Sequence, residues 1–186
     1  MTQKTDSPAV LIFIEDNYED MELMYPKYRL KEAGYRVVVA GPKANQKYLG
    51  KHGYPCNSDA AIADVEERDF VGVICPGGWA PDRLRRIEKV KTLVRQFHEA
   101  GKLVAAICHG GWMPISADVY EGVRVTGSLG IKDDLENAGA IFEDAEVVVD
   151  RHFVSSRKPD DCPAFMKACL EFLAKSAKPV QEEVHA

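Results

Sequence analysis

Short runs of apolar, largely β-branched residues punctuate the first part of the chain at Ala9–Ile14, Tyr35–Ala40, Phe70–Cys75 and Leu103–Ile107. None has the strict alternation of a half-exposed strand, so each reads as a strand covered on both faces, as in a parallel sheet. Each stops abruptly, at Glu15-Asp16, Gly41-Pro42, Pro76-Gly77-Gly78 and Cys108-His109-Gly110-Gly111. Between them the period becomes helical. Over Pro81–Glu99 the residues Leu84, Ile87, Val90, Val94 and Phe97 fall on one stripe, and Gly101 lies just beyond. Asp20–Ala33 carries Met24 and Tyr28 at near-helical spacing and ends at Gly34, with Pro26 expected to kink it or begin a new turn.

The remaining segments are shorter. Lys43–Ala61, with Gly50, Gly53 and Pro55, reads as loop and irregular β structure. Trp112–Val119 predicts a helix, Val123–Thr126 a strand, and Lys132–Ala138 a short helix before Gly139. Val147–Val149 and Phe153–Ser156 predict antiparallel strands joined through Asp150-Arg151-His152, and Asp160–Lys175 a final amphipathic helix with Pro163 in its first turn. Strand–turn–helix units of this kind predict an α/β, flavodoxin-like three-layer sandwich with a mostly parallel central sheet. The expected organisation is a single domain over 9–174, with flexible ends at 1–8 and 175–186.

Composition narrows the function classes. With 186 residues, 46% of them hydrophobic, the chain has material for one good core. The formal charge of −5 is spread over interspersed acids and bases, so neither nucleic-acid binding nor a polybasic membrane patch is expected. No apolar stretch approaches the ~20 residues of a membrane helix, and the polar start lacks a signal-peptide pattern. Cys56, Cys75, Cys108, Cys162 and Cys169 lack disulfide-scaffold or zinc spacing. The expectation is a cytoplasmic protein with no metal, and Gly77-Gly78 lacks the spacing of a dinucleotide fingerprint, so no cofactor is expected either.

Candidate chemistry gathers where strands end, because ligands of open parallel sheets bind beyond the strands' carboxyl ends. Cys108 ends an apolar strand before two glycines and a short helix, the arrangement of a nucleophile elbow. A buried structural cysteine is the bland alternative. A helix N-terminus and oriented N–H groups there would favour the thiolate. The backbone N–H groups of Gly78 and His109 are candidate oxyanion donors, and His109 is the nearest base in sequence. Glu19 is the acid expected beside the thiol, with an acidic N-cap region as its alternative. Asp82 either begins a helix or orients His109, and His152 is a reserve candidate if its hairpin folds toward the site.

Taken with Tyr18-Glu19-Asp20, Tyr25-Pro26, Arg29-Leu30, Gly50-Lys51-His52-Gly53-Tyr54, Ala80-Pro81-Asp82, Ile131-Lys132-Asp133-Asp134 and Ser155-Ser156-Arg157, these motifs make the chain resemble the ThiJ/PfpI superfamily, specifically its PfpI-like branch. The resemblance covers roughly Ala9 through Ala174. It implies a class I glutamine amidotransferase-like domain, homo-oligomers of dimers or larger rings, and Cys108 as nucleophile. It further implies Glu19 beside the thiol, His109 as its partner, and the acid at Asp82 supplied across a subunit contact. This chain departs from the family pattern with Asp82 where Glu is frequent, Gly111 where Pro is common, and Thr126-Gly127-Ser128-Leu129 for Thr-Ser-Tyr-Pro. Ser128 and Gly111 therefore predict a wider, wetter pocket, and Trp79 a cover for its opening. The implied activity is thiol attack on small reactive aldehydes or glycated adducts, of glyoxalase III or deglycase type. Peptide hydrolysis and a redox-sensing or chaperone-like stress role with little turnover are the alternatives.

Overall fold

The computed structural model describes residues 7–176. Along the chain the elements are β1 (Ala9–Phe13), α1 (Asp20–Glu32), β2 (Arg36–Gly41), β3 (Lys47–Leu49), β4 (Pro55–Asn57), β5 (Ala60–Ala61) and β6 (Gly72–Cys75). They continue with α2 (Ala80–Leu84), α3 (Glu88–Glu99), β7 (Leu103–Ile107), α4 (Trp112–Ser116), β8 (Arg124–Val125) and α5 (Lys132–Asn137). The last are β9 (Ile141–Phe142), β10 (Val147–Asp150), β11 (Phe153–Ser156) and α6 (Cys162–Ser176).

The central sheet has the order β10-β11-β7-β6-β1-β2-β5. It is parallel except for β10. Every residue of β1, β6 and β7 is buried, as the unbroken apolar runs require of strands covered on both faces. From β1 the chain moves outward through α1 to β2, then returns to the other side of β1 at β6 and moves the opposite way through α3 to β7. Right-handed crossovers running in opposite directions put α1 and α3 on opposite faces. Accordingly α1 packs on β1, β2 and α6, while α3 packs on β6, β7 and α4. The fold is an α/β three-layer sandwich of flavodoxin-like type. Its direction reverses between β1 and β6, where the strands' carboxyl ends open a crevice.

Several predicted elements change in detail. Pro26 sits inside a continuous α1, whose only necessary loss is the N–H that would bond the Glu22 carbonyl. The helix predicted over Pro81–Glu99 is two helices, broken where Ile87 adopts extended backbone. The break lets α2 pack against α4 while α3 lies on the sheet. Lys43–Ala61 contains a β3–β4 hairpin and the edge strand β5, and α4 stops at Ser116, short of Val119. The strand predicted over Val123–Thr126 is only Arg124–Val125, pairing with β9 outside the main sheet. Helix α6 runs to Ser176, so the expected tail begins as helix; most of both expected flexible ends lies outside the described residues. No helix among the described residues is long and apolar enough to cross a membrane.

Candidate active site

Strand β7 delivers Cys108 to the crevice, and the chain reverses there: Cys108 has φ +59°, a left-handed conformation rare for a non-glycine residue. That strain turns the thiol out of the sheet before α4 begins, as in a nucleophile elbow. Cys108 is half-buried, whereas Cys56, Cys75, Cys162 and Cys169 are buried. The turn is closed by Gly110, which lies directly under the end of β6, and Gly77 leaves room for Cys108 Cβ beside it. Gly78 has φ +79°, and its neighbour Tyr18 forms an isolated bridge with it that ties the end of β1 to the end of β6. The ends of β1, β6 and β7 thus come together around the thiol.

His109 folds back so that its Nδ1 lies 3.2 Å from Cys108 Sγ. Burial first, then the charge of Lys51, lowers the His109 pKa, so the ring is neutral at pH 7 and free to accept a proton. The backbone N–H groups of His109 and Gly78 pull the thiol's pKa down. Burial and the neighbouring Glu22 carboxylate outweigh them and push the thiol up to about 12. The thiolate expected from the helix terminus is thus not the resting state, and the nucleophile has to be activated by its neighbour.

The carboxyl against the thiol is Glu22, not the expected Glu19. Glu22 is fully buried. Its Oε2 accepts the Gly77 N–H at 2.9 Å, while Oε1 is buried with no hydrogen-bond partner among the described residues. Burial, with Glu19 second, pushes Glu22 up to about 8, so it is a neutral acid at pH 7. Glu19 instead pairs with the Lys51 ammonium. The signal that could have found Glu22 is its phase: Glu22, Pro26 and Leu30 share the buried stripe of α1. A carboxylate in that stripe is a buried acid.

Asp82 is set apart from the histidine. It is half-exposed on α2 and binds Arg86 Nη2 through both oxygens, at 2.9 and 2.7 Å. Among the described residues no carboxylate hydrogen-bonds His109. His152 is remote as well, because β11 runs parallel to β7 and the turn before it lies at the opposite end of the sheet from Cys108. Burial, His98 and Arg151 push His152 down to about 4.

Aromatic rings line the mouth. Trp79 is 62% exposed, with its ring centroid 5.6 Å from that of His109. Trp112 stands edge-on to His109 at 5.1 Å, anchored by a 2.8 Å bond from Nε1 to Asp134 and covered by Arg85. Gly111 is buried against Ile131 and Leu135 and so shapes packing rather than lining the opening. Ser128 donates its N–H to the Cys108 carbonyl and accepts the Gly130 N–H with its hydroxyl. At the mouth, Glu19, Asp20 and His52 bring ligand-type atoms within 4.8 Å of one another. Lys51 already neutralises Glu19, and Asp20 accepts the N–H groups of His52 and Tyr54 at 3.0 and 2.9 Å.

A deglycase of Pyrococcus abyssi is 47% identical over 164 residues, 88% of this chain and 98% of its own length. The deglycase PfpI of Pyrococcus furiosus is 42% identical over the same shares of both chains. In crystal structures, a two-domain protein of Anabaena variabilis with DJ-1/ThiJ/PfpI-like and ferritin-like domains superimposes with a TM-score of 0.89 at 38% identity, over 97% of this chain and 52% of that one. The sequence model of the DJ-1/PfpI family matches residues 8–172, and the chain belongs to that family.

Proposed function

We propose that the chain is a cysteine-dependent enzyme acting on reactive carbonyls, of glyoxalase III or deglycase type. The observation that carries this reading is the Cys108 thiol at a strained elbow, with a neutral imidazole nitrogen at 3.2 Å and backbone N–H groups at the sulfur. The deglycase relatives support the carbonyl substrate.

The chemistry follows from these groups. Cys108 Sγ bonds the aldehyde carbon of a 2-oxoaldehyde as the thiol proton passes to His109 Nδ1. The carbonyl electron pair becomes an oxyanion facing the N–H groups of His109 and Gly78, and it takes the proton back to give a hemithioacetal. The remaining hydrogen on that carbon then moves as a proton to the adjacent keto carbon, with His109 as carrier, while the Glu22 carboxylic acid gives its proton to the keto oxygen and takes up the hydroxyl proton, leaving a thioester. Water cleaves the thioester to the 2-hydroxyacid and restores the thiol. Methylglyoxal plus water becomes lactate, with no oxidant or reductant required.

Purified protein given methylglyoxal is expected to form lactate above a free-thiol control, and Cys108→Ser to lose that activity by roughly a thousandfold or more. Absence of lactate from the wild type overturns the reading. Cleavage of a fluorogenic peptide, abolished by the same substitution, replaces it with the peptidase.

Asp82 enters this reading as a group presented to His109 by a second copy. An apolar groove of about 490 Å³ on α1, lined by Met21, Met24, Tyr25, Tyr28 and Tyr54, supports self-association. Asp82→Asn should lower turnover. Unfolding and co-refolding it with Cys108→Ser should restore up to about a quarter of wild-type activity, the share of intact sites in randomly assorted dimers. No recovery in the mixture places Asp82 outside the site.

A further inference from the structure

At the end of the sheet remote from Cys108, two imidazoles from different elements meet. His98, in the last turn of α3, and His152, in the turn between β10 and β11, are both half-buried, with Nδ1 of the first 3.0 Å from Nε2 of the second. Their positions are fixed from several sides. The His152 carbonyl accepts the Val104 N–H at 3.0 Å, and both rings lie on buried Phe153, at centroid distances of 5.3 Å for His98 and 4.4 Å for His152. Phe153 in turn packs edge-on against Tyr120.

We propose that His98 and His152 form a two-histidine site for a divalent late transition ion, Ni²⁺, Cu²⁺ or Zn²⁺, separate from the thiol site. Two imidazole nitrogens each bound at ~2.0–2.1 Å stand about 2.9 Å apart at a right angle and about 3.4 Å apart at the tetrahedral angle. The observed 3.0 Å falls within that span. In the hydrogen-bonded pair one nitrogen carries the bridging proton; binding requires that ring to hold its proton on the other nitrogen, with no net proton released. Imidazole nitrogen selects late first-row ions over calcium or magnesium, and the half-exposed position leaves the remaining coordination to water. The Arg151 charge acts on His152, but its guanidinium is turned onto Asp150 at 3.3 Å. A bound ion would tie the end of α3 to the β10–β11 hairpin and stabilise the folded chain by mass action.

The test is calorimetric titration of Ni²⁺ into the full-length Cys108→Ser protein, which removes the accessible thiol as a competitor. The expected result is one saturable ion per chain, with affinity reduced at least tenfold by His98→Asn or His152→Asn and unchanged by His52→Asn. Should either variant fail to fold, imidazole-selected NMR of the Cys108→Ser protein with Zn²⁺ decides: the His98 and His152 signals shift together. No saturable binding at millimolar Ni²⁺, binding that survives both substitutions, or Zn²⁺ shifts confined to other histidines would overturn the proposal.

Discussion

Gly110→Ala is expected to destabilise the protein by about 3 kcal/mol or more and to abolish its thiol chemistry, although the change adds one methyl group. A Cβ at position 110 would stand 2.0 Å from the Cys75 carbonyl oxygen and 2.9 Å from its carbon, with the Pro76 oxygen at 3.1 Å. All three are backbone atoms at the end of β6, a fully buried strand paired on both sides. The elbow must therefore move away from β6, taking Cys108 from Gly78 and Glu22. At about 2–4 °C per kcal/mol for a chain of this size, the melting temperature falls by roughly 6–12 °C. Gly101→Ala is the control: its φ of +64° carries strain, but nothing lies within 4 Å of the added carbon, so about 1 kcal/mol is expected. Thermal melts that rank the two variants equally would show that close packing under the elbow is not what fixes it.

The sheet was legible where burial imposed a pattern. β1, β6 and β7 are covered on both faces, and their apolar runs say so directly. Features set by contacts between distant segments were not. The stripe through Leu84, Ile87 and Val90 keeps helical spacing across the break between α2 and α3, so periodicity cannot register the extended residue at Ile87. The place of His152 depends on β11 pairing parallel to β7, a choice its own hairpin does not encode. At the site, Cys108 and His109 could be read from their strand end. Glu22 was hidden because a carboxylate beside Met21 and Leu23 reads as the solvent side of an amphipathic helix, whereas this helix turns it into the crevice beneath Gly77. Lys51 was legible only as part of a motif, since its partner Glu19 is brought to it by the β3–β4 hairpin.

Glu22→Gln is expected to make the protein more stable in alkaline solution and its thiol more reactive, while slowing carbonyl turnover. The buried carboxyl titrates near 8 in the folded chain against 4.5 for its ordinary value. Between those values the native state holds a proton that the unfolded chain has lost. The stability this proton confers is fully present below about pH 4.5 and is lost as pH rises through about 8. The loss amounts to about 3–5 kcal/mol across that window, at ~1.4 kcal/mol per pH unit. Glutamine cannot ionise, and its carbonyl oxygen can still accept the Gly77 N–H. The variant should therefore match the wild type near pH 5 and melt at least ~5 °C higher near pH 8–9. The same substitution removes the carboxylate that, after burial, does most to raise the Cys108 thiol, so iodoacetamide should alkylate Cys108 faster at pH 8. An amide donates a hydrogen bond but delivers no proton, which is why turnover falls as stability and thiol reactivity rise. Such an opposition marks a residue whose ionisation burdens the fold in favour of the site. Melting curves with the same pH dependence in both proteins would remove Glu22 from this role, and faster turnover in the variant would remove it from the chemistry.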